Sequence, residues 1–298
     1  MVGTFKGNHF MEEIRNQKLI GERALFMSRG LSIRDSIFLD GESPLKECHD
    51  ISVEGSSFQW KYPLWYCSDV RVRDCTFFEM ARAGIWYTEN ISMKDCLYQA
   101  PKGLRRVRNL ELEDVDFPHA DETLWYCSGV SAKRVLARGD YFAMSSSNMK
   151  FEGLNLAGNY SFDGCTDIEI TGSKLISKDA FWNCRGVTVR DTFVSGEYIG
   201  WNSSDLTFVD CTLESLQGFC YIKNLKLVNC RVLNTNLAFE YSTVDVESLT
   251  PIDSVKNPLG GKIRCPSIGE LIFDDPDVKK EETEILLTNG AAKDGIRF

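Results

Sequence analysis

The segment Phe181–Asp191 reads FWNCRGVTVRD, and the chain repeats this phrase. Residues 64–74 read LWYCSDVRVRD, and residues 124–130 read LWYCSGV. In each copy an apolar residue, here termed the anchor, follows an Asp or a Gly. Anchors recur every 19 to 21 residues at Leu31, Ile51, Val70, Ile91, Leu110, Val130, Met149, Ile168, Val187, Leu206, Leu225 and Val244. A fixed period held over twelve units is the signature of a repeat architecture.

Each unit contains short apolar alternations separated by turn residues. The residue two after the anchor is again apolar and the one between them is polar, which is typical of a strand with one buried face. Similar strands are predicted five to seven residues after the anchor and about six before it. Asp, Asn and Gly precede the anchor and recur four residues after it, where tight bends need left-handed backbone angles. The sequence therefore predicts an all-β fold, a single-stranded right-handed parallel β-helix (solenoid) of about twelve coils with ~19 residues per coil.

The repeat predicts one domain over residues 1–298. Residues 1–22 are a polar lead-in or cap, and residues 23–250 form the coils. Residues 251–298 lose the rhythm, with Pro251, Pro258 and the pair Gly260-Gly261, and are predicted to form an irregular C-terminal cap.

Composition excludes several partners. A net charge of −9 and a pI near 5.0 argue against nucleic acid, because phosphate contacts need clustered Lys and Arg. No apolar run approaches the length of a membrane span, and residues 1–16 have no signal-peptide core. The eleven cysteines are odd in number and include no Cys-x-x-Cys pair, so buried free thiols are expected in place of disulfides or a metal site. These features predict a cytoplasmic protein.

Polar side chains concentrate in the turn nine to twelve residues after each anchor, here termed the turn column. Asp121 and Asp140 lie in this turn on neighbouring coils, and Asp116 lies on the strand beside it. Carboxylates grouped in this way share protons or hold a cation, which makes these three the candidate catalytic residues. Acids in turns also cap bends as a purely structural feature, so the sequence leaves both interpretations open.

Aromatic side chains supply the candidate binding surface. Tyrosines follow the acids of the turn column, and a tryptophan recurs five residues before the anchor on several coils. Indoles that point outward would form a ladder for stacking on sugar rings, whereas indoles that point inward would belong to the core. The candidate substrate-binding residues are Tyr141, Tyr160, Asp179, Glu197, Tyr198, Trp65, Trp86, Trp125, Trp182 and Trp201.

Six phrases carry a more specific resemblance: Gly21–Phe26, Asp40–Glu47, Tyr62–Trp65, Lys178–Asn183, Gly196–Tyr198 and Asp253–Pro258. Over residues of about 20 to 275 the chain resembles a bacterial family of single-domain β-helix proteins of unknown function, within the pectin-lyase-like superfamily. That resemblance implies the fold and supplies no activity. Enzymes of the superfamily act on polysaccharides, the lyases with calcium, but no motif here aligns with theirs and the turns are short.

Three hypotheses follow. The leading one is a carbohydrate-interacting protein that binds or modifies an oligosaccharide along the side of the helix. The alternative is a non-enzymatic scaffold that forms a homo-oligomer or binds a protein partner through an aromatic face. The third is a sugar epimerase or lyase. An enzyme of this kind would be a polysaccharide lyase or a glycoside hydrolase, and no cofactor is predicted except calcium for a lyase.

Overall fold

A parallel β-solenoid forms the molecule in the computed structural model, which describes residues 12–289 and 296–297. In its first sheet each strand pairs with the equivalent strand of the next coil, so that Val70 lies beside Ile91 and Ile91 beside Leu110. The strands of this sheet are Glu12–Arg15, Arg29–Arg34, His49–Glu54, Ser68–Arg73, Glu89–Tyr98, Arg108–Phe117, Ser128–Lys133, Ser147–Glu152, Thr166–Thr171, Arg185–Arg190, Ser204–Val209, Lys223–Leu233, Thr243–Ser248, Gly260–Cys265 and Thr283–Leu287.

A second ladder runs beside the first. It contains the ends of the three longest strands together with Lys18–Leu19, Ile37–Phe38, Ser57–Phe58, Thr76–Phe77, Leu136–Arg138, Asn155–Ala157, Lys174–Ile176, Phe193–Ser195 and Thr212–Glu214. The third side is less regular. Among the described residues its strands are Leu64–Trp65, Ile85–Trp86, Leu104–Arg105, Ile252–Lys256, Ile268–Ile272 and Ile296–Arg297, and turns take their place in the other coils. A 3-10 helix lies at Lys280–Glu282. The prediction of a third strand in every coil is therefore wrong.

The predicted fold class is confirmed, but the first sheet has fifteen strands, so there are more coils than the predicted twelve. The extra rungs are Glu12–Arg15, Gly260–Cys265 and Thr283–Leu287. Sequence periodicity missed them because Glu12, Gly261 and Thr283 stand where an apolar anchor is expected. Residues 1–11, 290–295 and 298 of the predicted caps lie outside the described residues.

The interior is filled by stacked side chains of successive coils. Phe38, Phe58, Phe77 and Tyr98 stack with ring centroids 4.6 Å apart. All eleven cysteines are free and buried, which confirms their predicted place inside the helix. Burial raises the pKa of the Cys67 and Cys165 thiols to about 12.

The bends follow the sequence. Asp69, Asn90 and Asn109 precede their anchors with φ between 53° and 57°, and their side chains hydrogen-bond from coil to coil. Such residues tolerate the left-handed region, as predicted. The coils thereby align the same position of every repeat along one line of the surface.

Candidate functional site

The tryptophan column faces outward. Trp65, Trp86, Trp125, Trp182 and Trp201 are all half-buried, whereas the neighbour before each is buried. Four indole N–H groups donate to backbone carbonyls in the turns of the next coil: Trp65 to Ala83, Trp86 to Lys102, Trp125 to Tyr141 and Trp182 to Tyr198, at 2.5–3.0 Å. The sequence left open whether these indoles point inward or outward, and the structure shows that they point outward.

The first half of this column is a closed stack. Trp65 and Trp86 lie parallel with centroids 5.2 Å apart. The guanidinium of Arg105 lies 4.6 Å from the Trp86 ring centroid and 4.5 Å from that of Trp125. Glu122 accepts from this guanidinium at 3.1 Å. One face of the Trp86 ring contacts Trp65, the other contacts Arg105, and its N–H donates to the Lys102 carbonyl. Trp86 therefore has a structural role and no free face for a sugar.

The candidate catalytic acids serve the turns. Asp121 Oδ1 accepts the backbone N–H of Asp140 at 2.8 Å, and Asp140 Oδ1 accepts that of Asn159 at 2.7 Å. Asp116 is half-buried on the neighbouring strand, and its buried Oδ1 has no hydrogen-bond partner. Two of the three carboxylates therefore join successive coils, which is the structural role that the sequence left open.

Six residues of the turn column lie on one backbone ladder, each donating its N–H to the next coil: Glu122, Tyr141, Tyr160, Asp179, Tyr198 and Gln217. Tyr141 and Tyr160 stack at 4.9 Å. Tyr141 also meets Trp125 edge-on, and Tyr160 meets Trp182 in the same way. The tyrosines thus bridge the two coils where the tryptophan column is interrupted, and the aromatic strip is continuous.

Asp179 interrupts the tyrosine ladder. Its side chain is 2% exposed, and its Oδ1 has no hydrogen-bond partner. Burial raises the pKa of the Asp179 carboxyl, while the Lys178 ammonium and a hydrogen bond from the Tyr160 hydroxyl act in the opposite direction. The carboxylate in turn raises the pKa of Tyr160. A buried carboxylate oxygen without a hydrogen-bond partner is rare in folded proteins, because it lowers stability, and it therefore calls for an explanation.

Beside this ladder lies an open depression of about 520 Å³, here termed the side groove. Lys178 and Glu197 form an ion pair across coils at 3.2 Å. Glu214 accepts from Ser195 at 3.2 Å and from Asn234 at 2.6 Å. The lining residues are Asn159, Ile176, Ser177, Lys178, Ser195, Gly196, Glu197, Glu214, Leu216 and Asn234.

Sequence reasoning found Glu197 in this groove but missed Glu214, Leu216, Ile176 and Asn234. Leu216 carried a usable signal, because a large apolar residue in a turn of the column is out of place there. None of Asp116, Asp121 and Asp140 lines the groove. Within residues 12–289 no three His, Cys, Asp or Glu side chains are grouped to hold a metal ion. No helix in the described part of the chain is long and apolar enough to cross a bilayer.

The chain belongs to the family described as "Protein of unknown function (DUF3737)", whose profile matches residues 12–286. This confirms the resemblance to a family of unknown function with a β-helix fold. No curated protein matches the sequence.

Several solved structures are similar at low identity. PfbA, a surface adhesin of Streptococcus pneumoniae, is 10% identical with a TM-score of 0.38, covering 70% of this chain and 69% of its own. A tailspike of the E. coli bacteriophage HK620 in complex with a hexasaccharide is 12% identical with a TM-score of 0.31, covering 88% and 60%. The A-module of the Azotobacter vinelandii mannuronan C-5 epimerase AlgE4 is 10% identical with a TM-score of 0.28, covering 95% and 87%. These scores are low, so a function has to be argued from this chain's own residues.

Proposed function

We propose that the protein binds an oligosaccharide or polysaccharide chain in the side groove. The observation that carries this proposal is the lining, which places exposed apolar groups beside several fixed hydrogen-bonding groups. Ile176 and Leu216 are 46% and 51% exposed, and Glu214 and Asn234 lie on the coils next to them. A sugar ring needs both kinds of contact, since its hydroxyls seek polar partners and its C–H faces seek apolar ones.

The shape of the groove favours an extended ligand. It spans five consecutive coils, from Asn159 to Asn234, and adjacent strands lie about 4.8 Å apart, so its length is roughly 19 Å. The groove is open to solvent along the helix axis. A linear chain of several sugars fits such a trough better than a compact cofactor, which pockets usually enclose.

The polar groups favour binding over cleavage. Glu197 is paired with Lys178, and Glu214 accepts two hydrogen bonds from its neighbours, so both carboxylates are held in fixed orientations. Charge-assisted hydrogen bonds from sugar hydroxyls to such groups are strong and directional. Asp121 and Asp140 are committed to the turns, and we assign no residue to glycosidic cleavage.

A titration with oligosaccharides tests the proposal. Tryptophan fluorescence and calorimetry would be recorded with neutral, N-acetylated, amino and uronic-acid oligomers, with and without calcium. Leu216→Ala should weaken binding about tenfold, because a buried leucine contact is worth on the order of 1.5 kcal/mol. Leu249→Ala is the matched control, since Leu249 is 45% exposed and lies outside the groove. Equal loss in both variants, or no response to any oligomer, would contradict the proposal.

A second candidate function, self-association, is favoured by one observation. Tyr66, Tyr87 and Tyr126 are each at least 41% exposed and lie on one line of the surface, and Tyr66 stacks on Tyr87 at 4.8 Å. Exposed aromatic patches are common at interfaces. Light scattering over a hundredfold concentration range should show a dimer that Tyr87→Ser dissociates. A monomer at every concentration would reject this candidate.

A further inference from the structure

We propose that two copies of this chain pair in opposite directions through one exposed column on the third side of the helix. The inference rests on the self-association candidate and deepens it, because it gives the symmetry of the pair and the residues that meet. It does not depend on the side groove. The exposed column consists of the residue four before the anchor in six consecutive coils: Met27, Glu47, Tyr66, Tyr87, Arg106 and Tyr126.

The six residues occupy one line of the surface. Each donates its backbone N–H to a carbonyl of the next coil at 2.8–3.1 Å. Met27 is 58% exposed, the three tyrosines are 41–46% exposed, and Arg106 is exposed as well. The Glu47 side chain is 41% exposed. Adjacent coils lie about 4.8 Å apart, so the column is about 24 Å long, close to the width of an interface of about 800 Å² per partner.

The backbone shows that these side chains are kept at a cost. All six residues have φ between 52° and 59°, in the left-handed region that disfavours long or bulky side chains. The four coils that follow have Ser145, Gly164, Asn183 and Asn202 at the same position, and Gly and Asn accept these angles with the least strain. The turn itself therefore needs only small residues, and the long side chains of the exposed column call for another role.

The exposed column is complementary to itself when its direction is reversed. A two-fold axis that crosses the column between Tyr66 and Tyr87 places Tyr66 of one copy against Tyr87 of the other. The same axis places Glu47 against Arg106, and Met27 against Tyr126. Each residue thus meets a partner of matching chemistry, in aromatic, ionic and methionine–aromatic pairs. Such an isologous contact closes a dimer.

The charges of the column select the direction and the register. Among the described residues Arg106 forms no salt bridge, and its guanidinium lies 4.9 Å from the Tyr126 ring centroid. Glu47 contacts Lys46 at 3.6 Å on the surface, where an ion pair contributes little. A parallel pair of copies would place Glu47 against Glu47 and Arg106 against Arg106, and like charges across an interface are unfavourable. Charge complementarity therefore favours the antiparallel pair.

Charge reversal tests this pairing. Dimerisation of the full chain would be measured by sedimentation at low ionic strength, where surface charges are screened least. Glu47→Arg and Arg106→Glu should each weaken the dimer at least about tenfold, because each converts both ion pairs into like-charge pairs. An equimolar mixture of the two variants should form a mixed dimer, since both pairs across it join opposite charges again.

Two matched variants control for the change in net charge. Glu152→Arg and Arg138→Glu alter charged residues on the first sheet and the second ladder, away from the exposed column, and should leave the dimer unchanged. Circular dichroism would establish that every variant is folded before its association is measured.

The outcomes separate the inference from both proposed functions. Single variants that dimerise as tightly as wild type would overturn the pairing and leave self-association through another surface standing. Weakened single variants without recovery in the mixture would show that Glu47 and Arg106 do not meet, and would overturn the register. Wild type that stays monomeric at every concentration would overturn the inference together with the self-association candidate. Sugar binding in the side groove is unaffected by any of these results.

Discussion

At Asp179 the fold buries a carboxyl group whose Oδ1 has no hydrogen-bond partner. The other three rungs of its ladder between Tyr141 and Tyr198 hold tyrosines. The Asp179 carboxyl is buried, and burial favours its neutral form. Because the folded-state pKa is raised, folding favours the protonated carboxyl. Its contribution to stability is complete below the ordinary value and is lost as pH rises through the raised one.

Asp179→Asn should therefore stabilise the protein at pH 7 and have little effect at about pH 3.5, below the ordinary carboxyl value of about 3.9. The gain at pH 7 should be on the order of 1 kcal/mol, because the amide removes a buried charge but keeps most of the packing. Urea unfolding at the two pH values measures it. Destabilisation of similar size at both would show instead that the carboxylate is needed for packing or hydrogen bonding.

The cysteines give a second prediction at this scale. Burial holds the pKa of the Cys67, Cys127 and Cys165 thiols at about 12, and the thiolate is the reactive form. Native protein should therefore show almost no reaction with a thiol reagent at pH 8, and all eleven cysteines should react in denaturant. Rapid labelling of several thiols in the native state would contradict the buried ladder.

At the scale of the element, the stack of Trp65, Trp86, Arg105 and Trp125 joins four coils on the third side, where the strands are short. Arg105 joins two indoles and pairs with Glu122. Such contacts add to the short backbone ladder that pairs Leu64–Trp65, Ile85–Trp86 and Leu104–Arg105 on this side.

Arg105→Ala should destabilise the protein by about 1–2 kcal/mol, because it removes two partly desolvated cation–π contacts and an ion pair. Arg82→Ala is the control, since Arg82 lies one coil earlier on the same side and is exposed. Thermal or urea unfolding measures the difference. A change in Arg105→Ala no larger than in the control would mean that the stack contributes nothing to stability.

At the scale of the whole molecule, the periodicity of the anchors was sufficient to predict the fold, because a strand with one buried face forces an apolar residue every coil. The terminal rungs were not predicted because Glu12, Gly261 and Thr283 occupy anchor positions without following that rule. The residues of the turn column were predicted to stack in one line, and six of them do lie on one backbone ladder, although Asp179 among them is buried. Which acids in it are free could not be predicted, since that depends on backbone N–H groups of the next coil, as at Asp121 and Asp140.

The side groove escaped prediction for a related reason. It is formed by residues from five coils, and Glu214 and Asn234 come into contact only when the coils are stacked. The direction of the tryptophan column likewise depended on the carbonyls that receive the indole N–H groups. The repeat period predicts on which line of the surface a residue lies, whereas its contacts depend on residues of the neighbouring coils.

Calorimetry of oligosaccharide binding by Glu197→Gln and Glu152→Gln tests the central claim most directly. Both glutamates form an ion pair with a lysine nineteen residues earlier, Lys178 and Lys133, and only Glu197 lines the groove. The side-groove account predicts that Glu197→Gln weakens binding about tenfold and that Glu152→Gln leaves it unchanged. Unchanged affinity in Glu197→Gln, with wild type binding the sugar, would place the ligand elsewhere and contradict the account.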